Sequence, residues 1–325
     1  MEYVSFGGSG LKVSRIAFGL GFRTLSDQRE GQRMIERALE LGVNLIDCAN
    51  VYGPMDDRAY AGVSEQVLGR AVKGRRDNVI ITSKVGSAVG AGPNDAGNSR
   101  HHIMREVERS LRRLDTDHID IYLMHVRDSS TPIEEAVRAM GDLVTQGKIR
   151  YWGVSNFAAW QLCKSLWTAD RLNAPKCACI QNPYSLLNRE LEREVLPLCR
   201  DEEVAIEAYS PLAVGLLSGR YKKGETPPPD TLWGGRRKHE FDEAISDWAA
   251  AVITEVVDVA AAYGKTPSQV AINWVLSQAG VTVAVIGPSK MQHLDDNLGA
   301  VGWSLSDEDR TRLDDVSRFP VPAVT

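Results

Sequence analysis

Eight short β-branched runs punctuate this chain, and longer amphipathic stretches separate them. That alternation constrains the fold more than any other feature, because strands alternating with helices pair parallel through βαβ crossovers. The runs cover residues 15–19, 44–47, 78–83, 119–124, 149–154, 177–181, 204–207 and 281–286. Between them, apolar residues recur at helical spacing. In residues 30–41, Met34, Ile35, Ala38, Leu39 and Leu41 line one side, with Arg and Glu opposite. Eight such units in 325 residues predict a closed (β/α)8 TIM barrel. No linker divides the chain, so residues 1–325 read as one domain. The rival, an open doubly wound sheet, opens on Gly-x-Gly-x-x-Gly when it binds a dinucleotide. Here the first run leads into Gly19-Leu20-Gly21-Phe22-Arg23-Thr24, which lacks the third glycine.

Ahead of the first run, Tyr3-Val4-Ser5-Phe6 and Leu11-Lys12-Val13 flank Gly7-Gly8-Ser9-Gly10. This is turn chemistry and predicts an N-terminal β-hairpin; no Gly-Lys-Ser/Thr follows to make it a phosphate loop. Three helix starts are signalled: Thr131-Pro132 before Ile133-Glu134-Glu135, Thr266-Pro267 before residues 268–276, and Ser306 with Asp309 three positions on. The rhythm breaks once. Roughly forty residues separate the seventh run from a long helix near 242–263, among them Pro227-Pro228-Pro229 and Trp233-Gly234-Gly235-Arg236-Arg237-Lys238. On a barrel, so long a loop leaves the C-terminal face, where active sites lie.

Composition narrows function by exclusion. The chain has 38 basic and 43 acidic residues, a net charge of −5, which argues against an electrostatic nucleic-acid binder. It has no apolar run of about 18 residues, so no membrane span is expected. The first residues lack the basic-then-apolar order of a secretory signal. Five cysteines fit a reducing cytoplasm better than a disulfide framework. Cys177-Ala178-Cys179 alternates as a strand does, and His101-His102 has no partner at ligand spacing, so no metal is expected. No coiled-coil repeat or interface strip marks an oligomer. Arg236-Arg237-Lys238 reads as a solvated charge run, or as a clamp over an anionic cofactor.

The chemistry gathers at strand ends. Asp47 closes the second run, Lys84 the third and His125 the fourth, and Tyr52 follows in the loop Val51-Tyr52-Gly53. Singly, each has a plain structural role available: a cap, a loop charge, a satisfied core histidine, a packed ring. Neighbouring strands of a barrel bring their ends together, so the four face one point. Tyrosine is a weak acid with a reference pKa of about 10. An adjacent ammonium stabilises its phenolate, a carboxylate holds the ammonium, and an imidazole can hydrogen-bond a carbonyl oxygen. Such a set can protonate a carbonyl oxygen while its carbon is reduced.

With these residues in view, the chain resembles an aldo-keto reductase nearly end to end. The resemblance rests on Asp47-Cys48-Ala49-Asn50-Val51-Tyr52-Gly53, Ser83-Lys84-Val85-Gly86, Gly153-Val154-Ser155-Asn156-Phe157, Gln181-Asn182-Pro183-Tyr184 and Ala208-Tyr209-Ser210-Pro211-Leu212, in order and at barrel spacing. It implies an NAD(P)-dependent (β/α)8 enzyme. In it Tyr52 is general acid in reduction and base in oxidation, Lys84 and Asp47 tune it, and His125 orients the carbonyl. The same resemblance assigns Ser155, Asn156 and Gln181 to the nicotinamide carboxamide and Tyr209 to stacking on its ring. Ser210, Pro211, Leu212, Gly215 and Leu217 would meet the pyrophosphate. Gly287, Ser289, Lys290, His293 and Asn297 would surround the adenosine, and Leu20 joins the cofactor set. Phe22, Val126, Arg127 and Trp233 would shape the substrate pocket, with Trp233 either a lid or a surface anchor.

Three departures bear on specificity. Cys48 stands where the family often has threonine, Val126 where many members carry an aromatic residue, and Ser289 where many have arginine. Lys290, His293, Arg220, Lys222 and Lys223 still offer cations for a ribose 2′-phosphate. The expectation is therefore NADP(H), with NAD(H) as the alternative, and a small carbonyl or alcohol as substrate. Two other readings stand beside it: an NAD(P)+-dependent aldose or alcohol dehydrogenase, and a nucleotide-binding regulatory subunit without turnover.

Overall fold

The computed structural model describes residues 1–22, 27–54 and 57–318. Arg23 and Thr24, which end the glycine-bearing stretch discussed above, lie outside them. A hairpin of β1 (Tyr3–Ser5) and β2 (Lys12–Ser14) opens the chain as expected. Eight strands follow: β3 (Ile16–Gly19), β4 (Leu45–Asp47), β5 (Ile80–Val85), β6 (Ile119–Met124), β7 (Ile149–Ser155), β8 (Cys179–Pro183), β9 (Ala205–Tyr209) and β10 (Val283–Ile286). All eight pair parallel in chain order, and β10 pairs back onto β3 to close a barrel.

Each expected run supplies one strand, and the late strands extend past the point where the apolar pattern stops. Asn182 pairs with Ala208 and Pro183 with Tyr209, one and two steps beyond the runs 177–181 and 204–207. Polar residues at this end are therefore part of the ladder, and Lys84 sits inside β5 rather than after it.

Helices α1 (Gln28–Glu40), α2 (Val63–Ala71), α3 (Arg100–Leu114), α4 (Ile133–Thr145), α5 (Ala159–Arg171) and α6 (Val195–Asp201) fill the successive crossovers. After β9 come α7 (Phe241–Ala244), α8 (Asp247–Tyr263) and α9 (Pro267–Ser277), and after β10 come α10 (Met291–Leu298) and α11 (Asp307–Ser317). In α1 the buried face is Gly31, Met34, Ile35 and Ala38. Outward strand residues such as Phe18, Ile46, Ile81, Ile180 and Ile206 join the helices in one core, while Ala17, Leu45, Ile121, Leu123, Cys179, Ala205 and Val283 fill the barrel interior.

Phe6 from the hairpin turn joins that interior cluster with no exposed surface. The Gly8 N–H donates to the Glu203 carbonyl at 2.6 Å, just before β9. Gly7 makes the seat possible: at φ +55°, an added Cβ would lie 2.5 Å from the same carbonyl. The hairpin thus seals the end of the barrel where the strands begin.

The helix starts follow their signals with two corrections. Thr266 caps α9 through the Gln269 N–H, and the Gln269 side chain returns to the Thr266 N–H, a full capping box. Ser306 caps α11 through the Asp309 N–H, but its own N–H goes to the Tyr263 hydroxyl instead. Thr131 does not cap α4. Pro132 takes the cap position without a side-chain bond, because the Thr131 hydroxyl is drawn to Asp128 at 2.5 Å. The long helix also starts later than residue 242: Ile245 leaves helical geometry, and Ser246 caps a fresh start at Asp247 through the Ala249 N–H. No described helix is long and apolar enough to cross a membrane.

Candidate active site

The structure brings Asp47, Tyr52, Lys84 and His125 together at the C-terminal end of the barrel. Asp47 and Lys84 come from adjacent strands and are 3% and 0% exposed. The Lys84 Nζ lies 2.5 Å from Asp47 Oδ1 and donates to the Cys48 carbonyl at 3.0 Å. Its ammonium also sits 4.8 Å from the centre of the Tyr52 ring. Burial alone works against the charged lysine, but Asp47 first and then Tyr52 outweigh it and hold the ammonium above its ordinary range.

The backbone fixes Tyr52. Its N–H donates to the Ala49 carbonyl, its carbonyl accepts from the Ser64 N–H, and an added Cβ at Gly53 would lie 2.2 Å from the Tyr60 carbonyl. The Tyr52 hydroxyl lies 3.3 Å from His125 Nε2, and the two rings meet edge to face. The other ring nitrogen, Nδ1, lies 3.3 Å from the Ser87 hydroxyl. Burial, then Lys84 and Arg58, push the His125 pKa down to about 3. The ring is therefore neutral at pH 7, with one N–H and one lone pair shared between Tyr52 and Ser87.

A consequence can be measured. Ring-labelled histidine NMR should show His125 without a titration between pH 5 and 8; a midpoint near 6.5 would overturn this account. The unfolded chain protonates the same ring near its reference value of about 6.5. Stability should accordingly be lost as pH falls below 6.5, down to the folded value of about 3.

Beneath the tetrad lies a polar layer. Ser155, Gln181 and Glu207 occupy the same register across β7, β8 and β9. The Ser155 hydroxyl donates to the Gln181 carbonyl at 2.8 Å. Gln181 Nε2 donates to Asp47 Oδ1 at 2.9 Å and to Glu207 Oε2 at 2.6 Å. Asn156, at φ +59°, donates from Nδ2 to the His125 carbonyl and to Ser155 Oγ, and accepts from the Tyr209 hydroxyl at 2.8 Å. Leu20 is buried, and its N–H donates to the Asp47 carbonyl at 2.7 Å.

Past β9 the chain turns sharply. Ser210, Ala213, Val214 and Gly215 all take positive φ, which costs energy at the three non-glycine positions. Successive N–H groups in such a turn make an anion-binding concavity. Pro211 and Leu217 are buried here, and Leu212 is partly so. Trp233 of the long loop is 3% exposed, and its indole N–H donates to the Val214 carbonyl at 3.0 Å. The Arg237 guanidinium lies over its ring and also pairs with Glu240. Trp233 therefore pins the loop from inside, onto the turn, rather than projecting from its surface.

Asp230 of the same loop reaches two cations, Arg220 at 3.5 Å and Lys290 at 4.0 Å. These contacts are half-exposed and individually weak. Lys290 precedes α10, whose first N–H groups carry no side-chain cap. Ser289 Oγ lies 3.5 Å from His293 Nδ1, and burial, then Lys290 and Arg220, lower the His293 pKa. Asn297 is buried on α10, and Gly287 follows β10. The segments at and after the ends of β7 to β10 thus carry amide groups, an aromatic ring, a strained turn and several cations.

Around the mouth, Phe22 is 9% exposed at φ +45°, Val126 is 38% exposed, and Arg127 donates to the Thr131 carbonyl. Three site residues escape the sequence reading. Ser87 meets His125 from beyond β5, and the charge of Arg58 acts on the same ring. Glu207 is a lone carboxylate in the apolar stretch Ala205-Ile206-Glu207-Ala208, and a charge at an inward strand position is the signal that could have found it.

The chain belongs to the aldo/keto reductase family, whose model matches residues 15–318. It is thus an oxidoreductase. Among its relatives are "Uncharacterized oxidoreductase YrpG" of Bacillus subtilis (strain 168), 36% identical over 99% of this chain and 97% of that protein, and "Aldo-keto reductase YhdN" of the same organism, 34% identical over 97% and 93%. A "Probable voltage-gated potassium channel subunit beta" of Arabidopsis thaliana is 34% identical over 93% and 91%.

Proposed function

We propose that this chain, as a single domain, interconverts an aldehyde or ketone with an alcohol using NADP(H), and that Tyr52 moves the proton. The carrying observation is the Tyr52 hydroxyl 3.3 Å from a neutral His125, with the Lys84 ammonium 4.8 Å from the tyrosine ring and paired to Asp47. When bound, the nicotinamide supplies or takes up the hydride. Every other part of the chemistry belongs to the chain. Tyr52 gives its proton to the carbonyl oxygen, and Lys84 stabilises the phenolate left behind. Asp47 keeps Lys84 charged and aimed. His125 orients the oxygen without competing for the proton. In oxidation the same groups run in reverse, Tyr52 serving as base.

Ser155, Asn156 and Gln181 would hold the carboxamide, Tyr209 the ring face, and residues 210–217 the diphosphate. Gly287, Ser289, Asn297 and the cations Arg220, Lys290 and His293 would receive the adenosine end. The cations support NADP(H) over NAD(H), since a 2′-phosphate wants positive hydrogen-bonding partners. Asp230 bridges two of them and would give way to that phosphate. Phe22, Val126 and Arg127 form the substrate side of the reading, and Trp233 acts on it through the loop it pins. The five free cysteines support a cytoplasmic setting.

The test is reduced-nicotinamide absorbance with an activated aromatic aldehyde and NADPH or NADH. Consumption is expected with both, faster with NADPH; equal rates would remove the cofactor preference. The relatives named as channel β subunits favour one second reading, a nucleotide-binding regulatory subunit. Tight NADPH binding without turnover on a broad panel of carbonyls, and of alcohols or aldoses with NADP+, would move the conclusion there.

A further inference from the structure

Glu207 has no place in the chemistry above, yet it is built into the floor of the site. It is fully buried inside the barrel. One carboxyl oxygen, Oε2, takes an N–H of Gln181; the other, Oε1, has no partner among the described residues. The charged and titratable groups facing it are Asp47 from β4, Lys84 from β5 and Cys179 from β8; across from it, β10 offers Val283. Tyr209 stands two residues on, along its own strand.

The amide of Gln181 decides what this arrangement does. Its nitrogen has two hydrogens, and the structure gives it two carboxyl acceptors, Asp47 and Glu207. With both hydrogens committed, the remaining amide atom offered to a ligand is an oxygen, an acceptor. An amide flip would set that oxygen against two carboxyl groups.

We propose that Glu207 is a positioning residue: it locks the Gln181 amide so that an acceptor faces the bound ligand, and it places a second buried carboxyl group beside the Asp47–Lys84 pair. The ligand's identity as a nicotinamide carboxamide, whose NH2 would meet that oxygen, rests on the proposed function. The lock and the charge do not. Burial, then Asp47, push the Glu207 carboxyl up to about 7, against the pull of Gln181 and Lys84, so its charge changes near neutrality. Above that pH the anion opposes a phenolate at Tyr52; below it the opposition is gone.

Wild type, Glu207→Gln and Glu207→Leu separate the two roles. In cofactor-free protein, carboxyl-labelled glutamate NMR should show one group titrating near pH 7, absent from both variants. Tryptophan fluorescence titration with NADPH should give an affinity about tenfold weaker in Glu207→Leu, the loss of one oriented hydrogen bond. Glu207→Gln keeps an acceptor for Gln181 and should stay close to wild type in affinity. In reduction, its basic pH limb should move to lower pH by about half a unit, because a nearby negative charge no longer raises the phenol. Unchanged affinity and an unmoved limb in folded variants would overturn the proposal. A glutamate spectrum without the neutral titration would overturn the charge role. Should the leucine variant not fold, the glutamine variant and the spectrum decide. Wild type that binds neither NADPH nor NADH would remove the functional reading instead, and the spectrum would then judge Glu207 alone.

Discussion

Tyr52→Phe is expected to fold as wild type and to lose carbonyl turnover by a factor of about 10² to 10⁴, the contribution of a positioned proton donor. The asymmetry follows from the geometry. The hydroxyl is half-buried and has a long 3.3 Å contact to His125, so its removal costs stability only about 1 kcal/mol or less. The ring stays in place, because the backbone around Val51-Tyr52-Gly53 is held by its own hydrogen bonds and by the close approach of Tyr60. Steady-state rates with NADPH and several aldehydes, read beside a urea melt, check both halves. Full turnover in the variant would end the assignment of the proton to Tyr52. A lost rate accompanied by a lost fold would say only that the hydroxyl is structural.

Lys84→Met carries the largest expected effect on stability. Methionine fills the same volume but removes the ammonium from a site with no exposed surface. Asp47 would keep one Gln181 N–H and lose its cation. Breaking a buried pair from one side typically costs about 3–5 kcal/mol, mostly because the partner charge is stranded. The double variant Asp47→Leu/Lys84→Met removes both charges and should recover much of that loss while remaining inactive. Urea unfolding of wild type, both single variants and the double closes the cycle. Additive losses would mean that the two groups do not interact, and the ion-pair account would fail.

Most of the architecture was legible because its physical signals are local. A β-branched run between helical stretches is a strand whatever its neighbours are, and eight in sequence leave little besides a barrel. The tetrad was legible because strands adjacent in a parallel barrel are adjacent in the chain, so Asp47, Lys84 and His125 announce their proximity. What the sequence hid depends on pairing across distance. Glu65 and Glu106 look like solvated helix charges, yet both are buried against Arg113 and Arg109. Thr131 reads as a cap until Asp128, three residues earlier, draws its hydroxyl away. Trp233 reads as lid or anchor; which carbonyl its indole meets is set by Val214, on a turn whose left-handed geometry no propensity reports. Glu207 stands as a charge among apolar neighbours, but its partner Gln181 lies one strand away, a pairing that spacing along the chain does not report.

The hairpin closes one end of a barrel whose interior is already filled by side chains. Phe6 and the Gly8–Glu203 contact occlude its floor, so traffic passes through the rim where the loops converge. The two ends of the barrel therefore answer to different substitutions: one at Phe6 should lower the unfolding free energy, whereas one at Asp230, Arg220 or Lys290 should alter the rim and leave the fold about as stable as before.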